Sequence, residues 1–272
     1  MLRDDDFFLE KWVAWYGSQL GREHLYIWFD GLDQSVPPCC EGCHTGKIEH
    51  LSLPVHEGDR RRIDFLSERA RELFAQGYEA VIGTDVDEFL IPDPALGQSL
   101  PAFISAMDSS RASLSGLGID VGQNLREEAA LKPELPMLAQ RRYAKLSTRY
   151  SKASVLLQPC DWGSGFHRVR GKNFHICEGL YLFHFGCVDL ERIKARMAHA
   201  GLLAEGWGRH LRKRIGTITL VSRAKALDWE RWTAFARCCQ NRIRPPYAWN
   251  KPAMFELRII VEIPSRFKES GI

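Results

Sequence analysis

Residues 79–90, Glu-Ala-Val-Ile-Gly-Thr-Asp-Val-Asp-Glu-Phe-Leu, constrain this chain more than any other stretch. A short apolar run leads straight into three carboxylates, Asp85, Asp87 and Glu88. Side chains alternate faces along an extended chain, so Asp85 and Asp87 are expected to point one way and Glu88 the other. Two carboxylates on one face repel unless a cation or a proton lies between them. Oxygen ligands that leave positions for water and phosphate suit Mg²⁺ or Mn²⁺. The expectation is a divalent-metal site at the end of a buried strand, holding a phosphorylated substrate, with Glu88 as a structural carboxylate. The competing reading is a polar strand end whose carboxylates cap a turn.

Strand and helix patterns alternate through the first half. Met1-Leu2-Arg3 reads as the tail of a strand, with the expectation that its first residues lie upstream. Asp4, Asp5 and Asp6 offer N-caps to a helix carrying Phe8, Leu9, Trp12, Val13, Trp15 and Tyr16, stopped by Gly17 or Gly21. Residues 25–29 are an apolar run ending in Asp30, and residues 48–53 predict another short strand. Residues 60–76 carry Ile63, Leu66, Ala70, Leu73 and Phe74 at amphipathic spacing, and residues 100–107 predict a further helix. This alternation argues for an α/β layer with a mostly parallel sheet. The ligand crevice of such a sheet lies beyond the carboxyl ends of its strands, where Asp4, Asp30 and Asp85 would stand.

The second half predicts strands at 112–118, 151–157 and 180–185, with polar turns at 120–124 and 161–167. After Val188 a basic helix is expected to about Arg214, and a second helix over residues 217–227. Residues 1–190 are read as the main domain and 191–272 as a mainly helical extension packed on it.

Charge narrows the partners. A net charge of +3 is too small to mark a nucleic-acid binder, but basic residues gather at Arg141-Arg142, 168–172 and 209–214. That pattern fits anionic small ligands or a membrane surface better than a duplex. No apolar run reaches the length of a membrane span, and the N-terminus lacks a signal-peptide pattern. The expected location is therefore the cytoplasm, with the eight cysteines mostly reduced. Cys40-Glu41-Gly42-Cys43-His44 fits a haem-attachment spacing, with Cys39, His50 and His56 nearby. Without an export signal or a second cysteine pair it reads as a plain cysteine-bearing loop rather than a haem or zinc site.

Two histidines and a lysine stand out. His184, inside Leu182-Phe183-His184-Phe185-Gly186, could complete a coordination sphere begun by the aspartates, or be a hydrogen-bonded core residue. His167 lies in a glycine-rich turn beside Arg168 and Arg170, a setting suited to a diphosphate. Lys152 could serve the same anion as a point charge. The eight Trp offer flat faces for sugar or base rings.

Met1 to Trp12, Tyr26 to Asp33, Thr84-Asp85-Val86-Asp87-Glu88-Phe89-Leu90, Ser151 to Val155, Gly163 to His167 and Phe183 to Gly186 together resemble a family-two-like glycosyltransferase of GT-A fold. The likeness is to the bacterial Asp-x-Asp-Glu-Phe branch. It implies a Rossmann-like, mostly parallel central sheet flanked by helices, with a helical C-terminal extension. It also implies inverting transfer of a sugar from a nucleotide-diphosphate donor, UDP-sugar foremost, to a glycan or lipid-linked acceptor in surface-glycan synthesis. The site could then lie at the inner face of the membrane.

By this resemblance Asp85, Asp87 and His184 would hold Mn²⁺ or Mg²⁺, which offsets charge on the leaving diphosphate. Arg3, Asp4, Asp5, Asp30, Asp85, Lys152 and His167 would bind the donor. No clean Glu-Asp pair marks the catalytic base, which leaves Asp161 and Asp120, each in a turn after a strand. Asp-x-Asp after a strand is also the nucleophile motif of haloacid-dehalogenase-type phosphatases, from which Phe89 departs. A sugar-phosphate nucleotidyltransferase should carry a glycine-rich basic loop, which residues 1–21 lack. A non-catalytic nucleotide- or glycan-binding module is the third reading.

Overall fold

A computed structural model describes residues 1–198 and 208–272. The part of the basic helix expected across residues 199–207 lies outside the described residues. The described strands form two sheets. The smaller is a parallel pair, β1 (Tyr26–Asp30) and β2 (His44–Ile48). The larger has seven strands: β3 (Val81–Ile82), β4 (Glu88–Pro92), β5 (Ser113–Gly122), β6 (Tyr143–Leu146), β7 (Val155–Leu156), β8 (Ile176–Cys187) and β9 (Ile260–Glu262).

In the larger sheet β8 lies between β4 and β5. The far edge of β5 is shared by β7 near its start and β6 near its end, with β3 beyond β7 and β9 beyond β6. β5–β8 is parallel, and the other five pairings are antiparallel. The expectation of a mostly parallel, Rossmann-like GT-A sheet is thereby corrected. Alternating strand and helix patterns do predict an α/β chain, but they do not say which strands become neighbours. Here β3 and β4 pair with β7 and β8 from the second half, and run against them.

Seven helices surround these sheets among the described residues: α1 (Asp6–Leu20), α2 (Val55–Ala75), α3 (Leu100–Ser105), α4 (Met137–Gln140), α5 (Leu190–Met197), α6 (Gly208–Arg223) and α7 (Trp229–Arg242). α1 buries Phe8, Leu9, Val13, Trp15 and Tyr16, and Gly21, at φ 87°, ends it. The helix expected over 217–227 is the second half of α6. None of the described helices is long and apolar enough to cross a membrane.

The acidic stretch is not one strand. Glu88 N–H donates to Asp85 C=O at 3.0 Å, closing a turn that separates β3 from β4. Gly83 stands just before it because a Cβ there would meet Trp162 and Phe166 at 2.8 Å. Beyond the turn, β4 is buried throughout. Burying Phe89, Leu90 and Ile91 stabilises this segment by about 1.5–3 kcal/mol per side chain. The Tyr16 hydroxyl accepts from Leu90 N–H at 2.9 Å and donates to Glu88 C=O at 3.3 Å, which fastens β4 to α1.

Candidate ligand site at the acidic turn

The turn sends its two aspartates to different partners. Asp85 is ion-paired with Arg62 of α2 and with Lys152, whose Nζ is 2.7 Å from Asp85 Oδ2. Lys152 Nζ also lies 2.5 Å from Glu88 Oε1. Burial alone would raise the Asp85 carboxyl, but Arg62 and Lys152 hold it well below the usual carboxylate range. Burial and the neighbouring aspartates push Glu88 up to about 7, against the pull of Lys152. The expectation of two like-facing carboxylates sharing one cation is therefore corrected, because a turn replaces the extended strand on which the alternation depended.

Asp87 faces the other way. Its Oδ2 is 2.9 Å from Arg214 Nη2 on α6 and 3.3 Å from His184 Nε2. On the far side of the ring His184 Nδ1 is 2.7 Å from Asp120 Oδ1, and the second oxygen of Asp120 accepts from Thr217 Oγ1 at 3.0 Å. Register explains this geometry: His184 is the cross-strand partner of Asp120 on β5 and of Glu88 on β4, so one row crosses three strands. Tyr150 stacks on the imidazole with ring centroids 3.7 Å apart. Burial would lower the His184 pKa, but Asp87 and Asp120 hold it up at about 9.

A metal fits one half of this arrangement. Two neighbouring oxygen or nitrogen ligands about 2.1 Å from one ion lie roughly 3 Å apart in octahedral geometry. Asp87 Oδ2 and His184 Nε2, at 3.3 Å, match that spacing, and the Asp120 contact to Nδ1 fixes the ring with Nε2 outward. Arg214 would have to move from Asp87 Oδ2. Asp120, His184 and Cys187 also carry ligand-capable atoms within 4.8 Å of one another. There, however, His184 Nδ1 and Asp120 Oδ1 already bond each other. Asp85 does not fit a metal, since two cations occupy its oxygens.

The other expected residues are dispersed. Arg3 forms a bidentate pair with Asp33, Nη1–Oδ1 at 2.9 Å and Nη2–Oδ2 at 2.8 Å, and donates to Asp30 C=O. Asp4, at φ 52°, bonds Gln34, and Asp30 Oδ2 is 2.9 Å from His50 Nδ1. Asp5 precedes α1 without a side-chain capping bond, and its carboxylate goes instead to Arg196 of α5 at 2.7 Å. Asp161 pairs with Arg71 of α2. Asp120 lies within β5, not in a turn after it. His167 is depressed to about 3 by burial and then by Lys152, and its Nδ1 has no hydrogen-bond partner.

Sequence reasoning missed Arg62, Arg214, Tyr150 and Thr217. Arg214 stood inside a recognised basic run, but nothing local tied it to Asp87. No family model matches this chain, and no curated protein is significantly similar to it.

Proposed function

We propose that this protein is a metal-dependent glycosyltransferase that moves a sugar from a nucleotide-diphosphate donor to an acceptor hydroxyl. The observation that carries the reading is His184, pinned through Nδ1 by Asp120 so that Nε2 meets Asp87 at the end of the acidic turn. Asp87 and His184 would hold the metal. An imidazole in the pair favours Mn²⁺ over Mg²⁺. When bound, the ion offsets charge on the diphosphate. Asp120 acts as the positioning residue for His184, and Tyr150 holds the ring plane by stacking. Arg214, released from Asp87, is a guanidinium suited to a diphosphate oxygen. A glycan or lipid-linked acceptor completes the proposal and rests on the family resemblance.

The test is calorimetry of UDP binding with and without Mn²⁺, on the native chain and on Asp87→Ala. UDP binding is expected to need Mn²⁺ and to weaken at least about tenfold in the variant. UDP binding that ignores both Mn²⁺ and the substitution would sink the proposal. One observation favours a binding module instead: Arg214 already neutralises Asp87. That reading predicts nucleotide binding without donor hydrolysis.

A further inference from the structure

A cavity of about 1070 Å³ lies between the two sheets. Two of its walls are strand edges. β1 uses Leu25 C=O and Gly31 N–H toward β2, bonding His44 N–H and Ile48 C=O, so the even-numbered residues face the other way. On that other edge Leu2 makes a parallel bridge to Phe29: Leu2 N–H donates to Trp28 C=O at 2.9 Å, and Asp30 N–H donates to Leu2 C=O at 2.8 Å. On the opposite wall Gly83 N–H donates to Ser154 C=O toward β7, which turns the backbone of Ile82 toward the cavity. The Met1 amino group interacts electrostatically with Asp30, the last residue of β1, and with Asp85, just past the end of β3. Both strands therefore finish at the same end of the groove.

We infer that this cavity is a strand-acceptor groove. Its occupant is an extended apolar segment of the full-length polypeptide leading directly into Met1. It runs parallel to β1, pairs with β1 on one side and β3 on the other, and joins the two sheets into one layer. In the register set by Leu2, the residue two positions upstream of Leu2 donates to Tyr26 C=O and accepts from Trp28 N–H. The groove reaches back to His24 and Tyr78, a length of about five residues at 3.3 Å each. Its side walls are apolar, with Trp12 and Leu20 from α1 and Leu73 and Phe74 from α2. Alternate side chains of a strand would enter those two walls. Leu2 already holds the last position on this line of bonds, so a strand from a separate chain would have to end against it. A small apolar ligand would fill the volume but leave both backbone edges unpaired.

The test compares three chains by amide hydrogen exchange: residues 1–272 alone, with a six-residue Val-Thr repeat fused ahead of Met1, and with a Gly-Ser segment of the same length. The Val-Thr extension should slow exchange at Trp28 and Ile82 by at least about tenfold and expel an apolar dye, while the Gly-Ser segment should do neither. Equal exchange in all three, or a dye that stays bound beside the Val-Thr segment, would overturn the inference. Intact-mass measurement of the protein from its native source should place the N-terminus at least about five residues ahead of Met1. A native N-terminus at Met1 would overturn the choice of occupant.

Discussion

Asp85 and Asp87 stand two residues apart in one turn, and the groups around them differ in kind. Around Asp85 are Arg62 and Lys152, and Lys152 also serves the fully buried Glu88. Both cations keep their charge across the whole working range of pH, and neither can serve as a metal ligand in that state. Around Asp87 are Arg214, from a helix late in the chain, and His184, which can give up its proton and then coordinate. The same acidic motif thus supplies a permanent clamp between α2, the turn and Lys152, and beside it an exchangeable position. The difference lies in the partners and not in the aspartates.

Removing each carboxylate in turn separates the two roles. Asp85→Ala takes the shared anion from Lys152 and Arg62 and leaves them Glu88 and Asp59 alone. Breaking this half-buried link is expected to cost about 3 kcal/mol, the low end for a buried pair. Asp87→Ala should cost less than half as much at pH 8, because His184 can relax by losing its proton. Urea denaturation of both variants reads the contrast directly. Equal losses would mean that both aspartates belong to one structural cluster.

The next largest effect is the pH dependence of the Asp87 side. His184 has a folded pKa of about 9 against an ordinary 6.5. A raised pKa means its contribution is fully present below pH 6.5 and is lost as pH rises through about 9. The linkage amounts to about 3 kcal/mol. Asp87, held well below 3.8, works in the opposite sense: its stabilisation is present above that value and fades in acid. Metal-free protein should therefore lose stability between pH 6.5 and 9, and His184→Gln should flatten that slope. An unchanged slope in the variant would remove His184 from the account.

Gly186 tests the same side by packing. A Cβ at this position would meet the Arg214 guanidinium carbon at 2.5 Å and His184 at 2.6 Å. Gly186→Ala is therefore expected to dislodge Arg214 from Asp87 and cost about 1–3 kcal/mol of stability, as overpacking does. If Arg214 competes with the ion, Mn²⁺ should bind this variant relatively better than its stability suggests. A parallel loss of both would tie the two residues together as one structural unit.

Legibility in the sequence followed the range of the interactions. α1 was readable from its apolar spacing and from Gly21, and α2 from Ile63 and Ala70, because both depend on residues within a few positions. Asp87 was readable as a chemistry-bearing group at a strand end, and His184 as one inside an apolar strand. Their separation from Asp85 was not, since it depends on a turn inside a run that reads as one strand. Sheet order was also hidden. His184 gains its meaning from cross-strand partners 64 residues away at Asp120, and no local pattern encodes that pairing. Arg62 stood unmarked within the amphipathic stretch 60–76 and Arg214 within a basic run, and only the fold brings them to the turn.

Asp161 offers the smallest and most diagnostic contrast. The chain read in isolation made it a candidate base, but its carboxylate pairs with Arg71, both partly exposed, on the α2 side of the molecule. An ion pair so accessible to water contributes little, typically below 1 kcal/mol. Asp161→Asn should therefore shift stability by less than about 0.5 kcal/mol and leave Mn²⁺-dependent UDP binding unchanged. Donor hydrolysis is the decisive measurement. If Asp161→Asn abolishes hydrolysis while binding survives, proton transfer runs through the α2 side, and the Asp87–His184–Asp120 row serves binding alone. If hydrolysis persists, the chemistry stays on the exchangeable side of the turn, where Asp120→Asn should lower it by releasing the His184 ring.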